Sequence, residues 1–200
     1  MKNLTSRVQE AVENSPSGII TLDVLESLKL CDDFTLKTTL SRLGKSGRVL
    51  RLKRGVYASN PLKDQFVAAQ STFNGYIGFS AALYIHRFIA EMPFVITVVT
   101  TSQSESKRFG AYEFRAVAMK EKAIGFENIG NLVVSTRAKT LFDCIYLERY
   151  SIEGKKLIEA YIENPLDAKG LKEFDSYVLK FSSQKTRGKF GEVKKLIGRG

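Results

Sequence analysis

Long apolar runs are missing from this chain. No stretch of about 18 consecutive apolar residues occurs, so the sequence predicts no membrane-spanning helix. The N-terminal 15 residues are amphipathic and lack the apolar core of a secretory signal, so we expect a cytoplasmic protein. Cys31 and Cys144 lie far apart and form no CxxC motif, which favours two free thiols in a reducing compartment.

Histidine is equally scarce, and His86 is the single one. One histidine excludes a histidine-rich metal site and leaves few ways to build a nucleophile–base pair. Ser80, Asp143 and Cys144 could be combined with His86, but no nucleophile-elbow glycines, Walker A motif or GxGxxG motif is present. We therefore predict a protein that is not an enzyme and uses no metal and no cofactor.

The same residues have structural interpretations. His86 lies among apolar residues and is predicted to be packed and hydrogen-bonded, while Asp143 is predicted to pair with Arg137 or Lys139. A nuclease remains a third functional alternative, although Glu113, Glu121 and their neighbours show no diagnostic spacing.

Positive charge is concentrated at the two ends of the chain, whose formal net charge is +10. Residues 1–60 carry ten basic and six acidic residues, residues 61–179 carry fourteen of each, and residues 180–200 carry seven basic residues against one acidic residue. Localised positive charge attracts polyanions, of which the phosphate backbone of nucleic acid is the usual one.

The stretch Thr35–Gly55 contains no Asp or Glu and has two successive periodicities. Its first half places apolar residues at helical spacing, and its second half alternates as a strand before a basic glycine turn. With two preceding helices, over 3–14 and from Thr21 to about Leu28, the pattern predicts a winged helix-turn-helix. The predicted third helix has Leu36, Leu40 and Leu43 on its buried face, and the predicted strands cover 49–52 and 56–58.

The polar face of the third helix suits the major groove, and the hairpin suits the DNA backbone. The candidate groove-contacting residues are Thr35, Lys37, Thr38, Ser41, Arg42 and Lys45. The candidate wing and backbone contacts are Arg48, Arg51, Lys53, Arg54 and Tyr57, with Tyr57 either packed under the wing or touching a sugar. A basic solvent face on a protein-binding domain is the alternative.

Asn60-Pro61 is the predicted boundary between this domain (1–60) and an α/β domain (61–179). The apolar run from Phe94 to Thr100 is predicted to be a buried central strand. Further strands are predicted at 112–118 and 132–135, and helices at 62–73, 80–88, from 135 or 136 to about 149, at 153–163, 166–181 and 189–197. The predicted fold class is α+β, ending in a basic helical tail (180–200). That tail is either a docked surface helix or a second DNA-contacting helix.

Four segments together resemble the AbiEi-type antitoxins of type IV toxin–antitoxin systems and related transcriptional regulators. They are RLKRGVYA (Arg51–Ala58), GFSAALYIHRF (Gly78–Phe88), PFVITVVTT (Pro93–Thr101) and VVSTRAKTLFDCIYL (Val133–Leu147), and the similarity covers roughly residues 3–150. Members of the family often carry His-Gly-Leu where this chain has His86-Arg87-Phe88.

The resemblance implies a repressor of an antitoxin–toxin operon. Because helix-turn-helix proteins commonly use paired half-sites, we expect an operator of that kind. The resemblance also implies antitoxin activity in the second domain against a nucleotidyltransferase-like toxin, directly or indirectly. The alternative is a stand-alone winged-helix regulator whose second domain forms a homodimer or senses a ligand.

Overall fold

The computed structural model describes residues 3–198 and is a mixed α+β protein. Within that range it has nine α-helices and two β-sheets. The chain divides into two compact units, each described here by itself. The first extends to Phe73 and includes Arg108–Tyr112, and the second comprises Asn74–Lys107 and the chain from Glu113 onward.

The first unit combines helices with a small antiparallel sheet. Its elements are α1 (Leu4–Glu13), β1 (Ile19–Thr21), α2 (Leu22–Ser27), α3 (Asp33–Lys45), β2 (Val49–Lys53), β3 (Val56–Ser59) and α4 (Gln65–Thr72). In the sheet β3 lies between β1 and β2. The three predicted helices and the predicted hairpin are confirmed, whereas the three-residue strand β1 was not predicted.

Polar side chains begin each of the first three helices. The side chain of Asn3 caps α1 by accepting from the Ser6 amide at 2.9 Å, and the predicted Thr21 cap begins α2. The side chain of Asp32 accepts from the Thr35 amide at 2.9 Å and begins α3. Each cap satisfies a backbone N–H that has no partner inside its own helix.

The core of the first unit is built where α1 and α3 pack together. Val8 and Val12 of α1 are fully buried, and Leu36, Leu40 and Leu43 of α3 are each 1% exposed. The leucine face of α3 is therefore buried as predicted, which leaves the opposite, polar face of that helix in solvent.

The unit boundary falls after Phe73 and not at Asn60-Pro61. The cause is α4, which contacts β2 and β3 and buries Ala68 and Ala69 completely. The Lys63 ammonium also donates to the backbone oxygen of Glu13 in α1. The first unit thus extends thirteen residues beyond the predicted domain end at residue 60.

The chain from Asn74 onward, including the segment Arg108–Tyr112 that clusters with the first unit, forms a six-stranded sheet and a group of helices. Its elements are β4 (Tyr76–Ile77), α5 (Phe79–Ile85), β5 (Val95–Thr100), β6 (Glu105–Phe109), β7 (Tyr112–Ala118), β8 (Phe126–Ile129), β9 (Leu132–Ser135), α6 (Arg137–Tyr146), α7 (Gly154–Glu163), α8 (Ala168–Phe181) and α9 (Gln184–Ile197). The strand order is β6-β7-β5-β4-β9-β8.

Strand β5 is central and buried, as its β-branched sequence predicts. It pairs in parallel with β7 and antiparallel with β4, and Ile96, Val98 and Val99 are at most 1% exposed. The predicted start of the strand is wrong, however. Phe94 precedes β5 and is 92% exposed.

Several predicted boundaries shift, and three strands were missed. Helix α6 ends at Tyr146 and is followed by a 3-10 turn over Glu148–Tyr150, although the prediction extended the helix to Arg149. Helix α9 starts at Gln184 and not at 189, because Ser183 caps it. Strands β4, β6 and β8 were not predicted, since β4 has two residues and β6 and β8 are largely exposed and polar.

Helix α9 belongs to the second unit's core. Phe190 is 2% exposed and stacks on Phe142 of α6 with ring centroids 5.1 Å apart. The described part of residues 180–200 is therefore a docked helix, and contact of this helix with DNA stays a prediction. None of the helices between residues 3 and 198 has the length and apolarity needed to cross a bilayer.

Candidate nucleic-acid interface

The solvent face of α3 presents short polar and cationic side chains. Lys37, Ser41, Arg42 and Lys45 are exposed, and Thr38 is half-buried. Arg42 and Lys45 lie in the last turn, where the helix dipole favours positive charge. The side chains predicted to face away from the core therefore do so.

The beginning of α3 has the opposite charge. Asp32 and Asp33 are both exposed there, and hydrogen bonds from the side chain and backbone of Thr35 lower the pKa of Asp32. The half-buried side chain of Thr35 thus takes part in the helix cap, and its contact with DNA stays a prediction. The exposed charge of α3 is therefore acidic at its first turn and basic at its last turn.

The β2–β3 hairpin projects further cations. Arg51 pairs across the hairpin with Tyr57, and a register shift between Arg51 and Lys53 precedes the turn. Gly55 in the turn has φ +75°, a left-handed conformation that glycine adopts without strain. Arg54 at the tip is exposed, and Lys53 is half-buried.

Helix α3 and the hairpin enclose an open cleft of about 800 Å³. Four cations line it: Lys37 and Lys45 from α3, and Arg51 and Arg54 from the hairpin. Asp23 is the acidic residue that lines the cleft among the described residues. The cleft therefore has a strongly positive wall on both sides.

Most of these cations have no carboxylate partner. Lys37 is the exception, because its ammonium lies 3.0 Å from Glu26, whose hydrogen bond and charge raise the pKa of Lys37. Within residues 3–198, no carboxylate lies within ion-pair distance of five exposed cations. They are Arg42, Lys45, Arg48, Arg51 and Arg54. Their charge is available to an external anion.

Tyr57 is buried under the hairpin. Its side chain is 8% exposed and belongs to the core formed with Val8, Leu36 and Val49. Its cross-strand partner Arg51 is exposed and lines the same cleft. Packing under the hairpin was one of the two interpretations of Tyr57, and it is the one the burial supports.

Three cations of the C-terminal helix α9 have local partners. The Lys194 ammonium lies 2.7 Å from both carboxylate oxygens of Asp175, Lys189 pairs with Glu148, and Arg187 donates to the backbone oxygen of Leu179 at 3.1 Å. Local pairing reduces the charge that this helix offers to a polyanion. The first unit thus carries the stronger candidate interface.

The residues considered for catalysis are engaged separately. The Ser80 hydroxyl donates to the Tyr150 carbonyl at 3.0 Å, and Nε2 of His86 lies 2.7 Å from the Ser135 carbonyl. Burial lowers the pKa of His86 and raises the pKa of the Cys144 thiol to about 12. His86 is therefore packed and hydrogen-bonded as predicted.

Asp143 pairs with Lys139, one of its two predicted partners. Both side chains are completely buried on α6, and the Lys139 ammonium contacts the Asp143 carboxylate. Burial raises the pKa of Asp143 to about 6 and lowers the pKa of Lys139. The second carboxylate oxygen, Oδ2, has no hydrogen-bond partner among the described residues.

Comparison with known proteins adds no family assignment. No protein-family model matches the chain, and no curated protein matches it significantly. No group of three or more His, Cys, Asp or Glu side chains in residues 3–198 is arranged to hold a metal ion.

Proposed function

We propose that the first unit is a winged helix-turn-helix domain that binds double-stranded DNA. Helices α2 and α3 form the helix-turn-helix, and the β2–β3 hairpin forms the wing. The observation that carries this proposal is the set of five exposed cations, on and beside the α3–hairpin cleft, that have no carboxylate partner within the described residues. Such a set attracts a polyanion.

The residues divide into two roles in this proposal. Arg42, Ser41 and Thr38 on the exposed face of α3 read base edges in the major groove, where Arg can contact guanine through two hydrogen bonds. Backbone phosphates are contacted by Lys45, Arg48, Arg51, Lys53 and Arg54, while Lys37 is partly neutralised by Glu26. Thr35 and Tyr57 stabilise the domain.

Comparison of two arginine variants tests this division. Arg42→Ala should weaken binding to a duplex selected from a random pool by about 1–3 kcal/mol and relax its sequence preference. Arg54→Ala should weaken selected and random duplexes similarly. Lys195→Ala, which removes an exposed cation from α9, is the matched control and should leave both affinities unchanged. Equal losses on both duplexes for Arg42→Ala would remove it as a base reader.

In the cell, the protein is proposed to be an antitoxin that represses its own antitoxin–toxin operon. The four-segment resemblance to AbiEi-type antitoxins supports this role, and the operator would carry paired half-sites bound by two copies of the chain. The test is co-expression with the product of a neighbouring nucleotidyltransferase-like gene. Rescue of growth that survives loss of DNA binding is the expected result, and failure of rescue by a well-folded chain removes the antitoxin role.

A ligand-sensing regulator is the second candidate, because the second unit contains a cavity of about 240 Å³. Apolar side chains of α6, α7 and α9 line it, including Ile145, Leu157 and Val193, together with the paired Glu148 and Lys189. An effector bound there would change the DNA affinity of the full chain. If no metabolite fraction changes the DNA affinity and the chain rescues growth from the toxin, the antitoxin role is favoured over the ligand-sensing regulator.

A further inference from the structure

The loop between α5 and β5 exposes apolar side chains that the core leaves out. Phe94 is 92% exposed and Met92 is 40% exposed, although both lie next to the most deeply buried strand of the sheet. An isolated exposed apolar residue is ordinary, but contiguous exposed apolar surface marks interaction sites. Phe94 therefore needs to be considered with its surroundings.

Those surroundings form an open cleft of about 630 Å³. Phe88 and Ile89 line it from the loop side, and Ile152 and Ala160 line it from the side of α7. Phe94 thus lies at the margin of an apolar depression large enough for side chains of another polypeptide. We call this surface the Phe94 cleft. Aromatic anchors beside such depressions commonly dominate binding energy.

The charged residues of the Phe94 cleft are mostly acidic. Among the described residues, Glu91, Glu159 and Glu163 line it, against one cation, Lys156. Of the three glutamates, Glu159 has a carboxylate–ammonium contact, a long one of 3.8 Å to Lys155, and no ion pair joins the other two to described residues. The lining residues therefore carry a formal charge of −2, three carboxylates against one ammonium, in a protein whose net charge is +10.

We propose that the Phe94 cleft binds a basic, apolar segment of a different protein. Opposite charge at the rim steers and orients a partner, and apolar side chains fill the depression. A second copy of this chain is disfavoured, because a two-fold contact would bring six glutamates together against two lysines. The surface lies in the second unit and serves a partner other than DNA.

Two labelled peptides of equal length and identical Leu and Phe positions test the charge preference. One carries Lys at its polar positions and the other carries Glu. Because the net charge of the whole protein is +10, non-specific attraction favours the Glu peptide. We expect fluorescence anisotropy to show at least tenfold tighter binding of the Lys peptide. Equal affinities, absence of binding, or preference for the Glu peptide would overturn the proposal.

Variants locate the binding. Phe94→Ser should weaken the Lys peptide about tenfold or more, and the double variant Glu159→Lys, Glu163→Lys should remove the preference for it. Leu179→Ser, which removes an exposed leucine on α8 outside the cleft, is the control and should have no effect. Circular dichroism checks that the variants fold, as is expected because Phe94 and Leu179 are exposed. Self-association of the wild type that Phe94→Ser abolishes would assign the cleft to a second copy and refute the proposal.

Discussion

The buried Lys139–Asp143 pair offers the sharpest test of how the second unit is stabilised. Both side chains have 0% exposure. The Lys139 ammonium lies 5.4 Å from the ring centroid of Phe142 and 5.8 Å from that of Tyr177. Asp143→Ala leaves this cation without its counter-ion in an aromatic, water-excluded environment. Removing one member of a buried pair typically costs about 3–5 kcal/mol, and we expect that loss here.

The double variant Lys139→Met, Asp143→Leu should behave differently. It removes both desolvated charges and the unpaired Oδ2 of Asp143, and replaces them with apolar groups of similar size. Apolar replacement of a buried pair is often neutral or stabilising. We therefore expect the double variant to recover most of the stability lost by Asp143→Ala.

Urea denaturation at pH 7, followed by circular dichroism, measures these differences. In a thermal melt, a change of about 3–5 kcal/mol corresponds to a fall of about 6–20 °C in Tm for a chain of this size. Lys155→Ala, which disrupts the exposed 3.8 Å pair with Glu159, is the control and should change stability by less than about 1 kcal/mol. A loss below about 1 kcal/mol for Asp143→Ala would refute the reasoning. A double variant that is no more stable than Asp143→Ala would refute it as well.

Three further changes report on single side chains. Burial lowers the pKa of His86, so its C2 proton should titrate by NMR below the ordinary value of 6.5. The stability that the neutral side chain contributes is present above pH 6.5 and is lost as the pH falls through the pKa of the folded state. The variant His86→Gln should not show this loss. Arg87 has φ +63°, so Arg87→Gly should raise the unfolding free energy by about 1 kcal/mol and Arg87→Ala should not. A Cβ on Gly44 meets only Val49 O at 4.0 Å, so Gly44→Ala should stabilise α3 by about 0.5–1 kcal/mol in thermal melts while weakening DNA binding in the cleft.

Sequence patterns predicted the elements that bury a regular apolar stripe. Leu36, Leu40 and Leu43 repeat at helical spacing over enough residues to specify both the helix and its solvent face. Strand β1 has three residues and β4 has two, which is too few for a period to be visible. These strands depend on partners elsewhere in the chain, such as Val99 for Tyr76.

The charged residues of the candidate site could be predicted from the sequence, but the contacts that some of its residues make within the protein could not. The exposed cations follow from the periodicity of α3 and the hairpin, but the ion pair that engages Lys37 comes from Glu26 on another helix. Thr35 and Tyr57 were included because polar atoms can contact DNA, whereas the fold uses one for a helix cap and the other for the core. Phe94 begins the apolar run that predicts a buried strand, so its exposure could not be predicted from the sequence.

The dependence of DNA affinity on salt tests the central proposal most directly. Five cations without carboxylate partners predict that log K falls with log salt concentration with a slope of about −4 to −5 for a random duplex. Arg51→Ala and Arg54→Ala should each reduce the magnitude of that slope by about 1, and Lys195→Ala should leave it unchanged. A slope near zero, or an equal change with Lys195→Ala, would contradict DNA binding by the first unit.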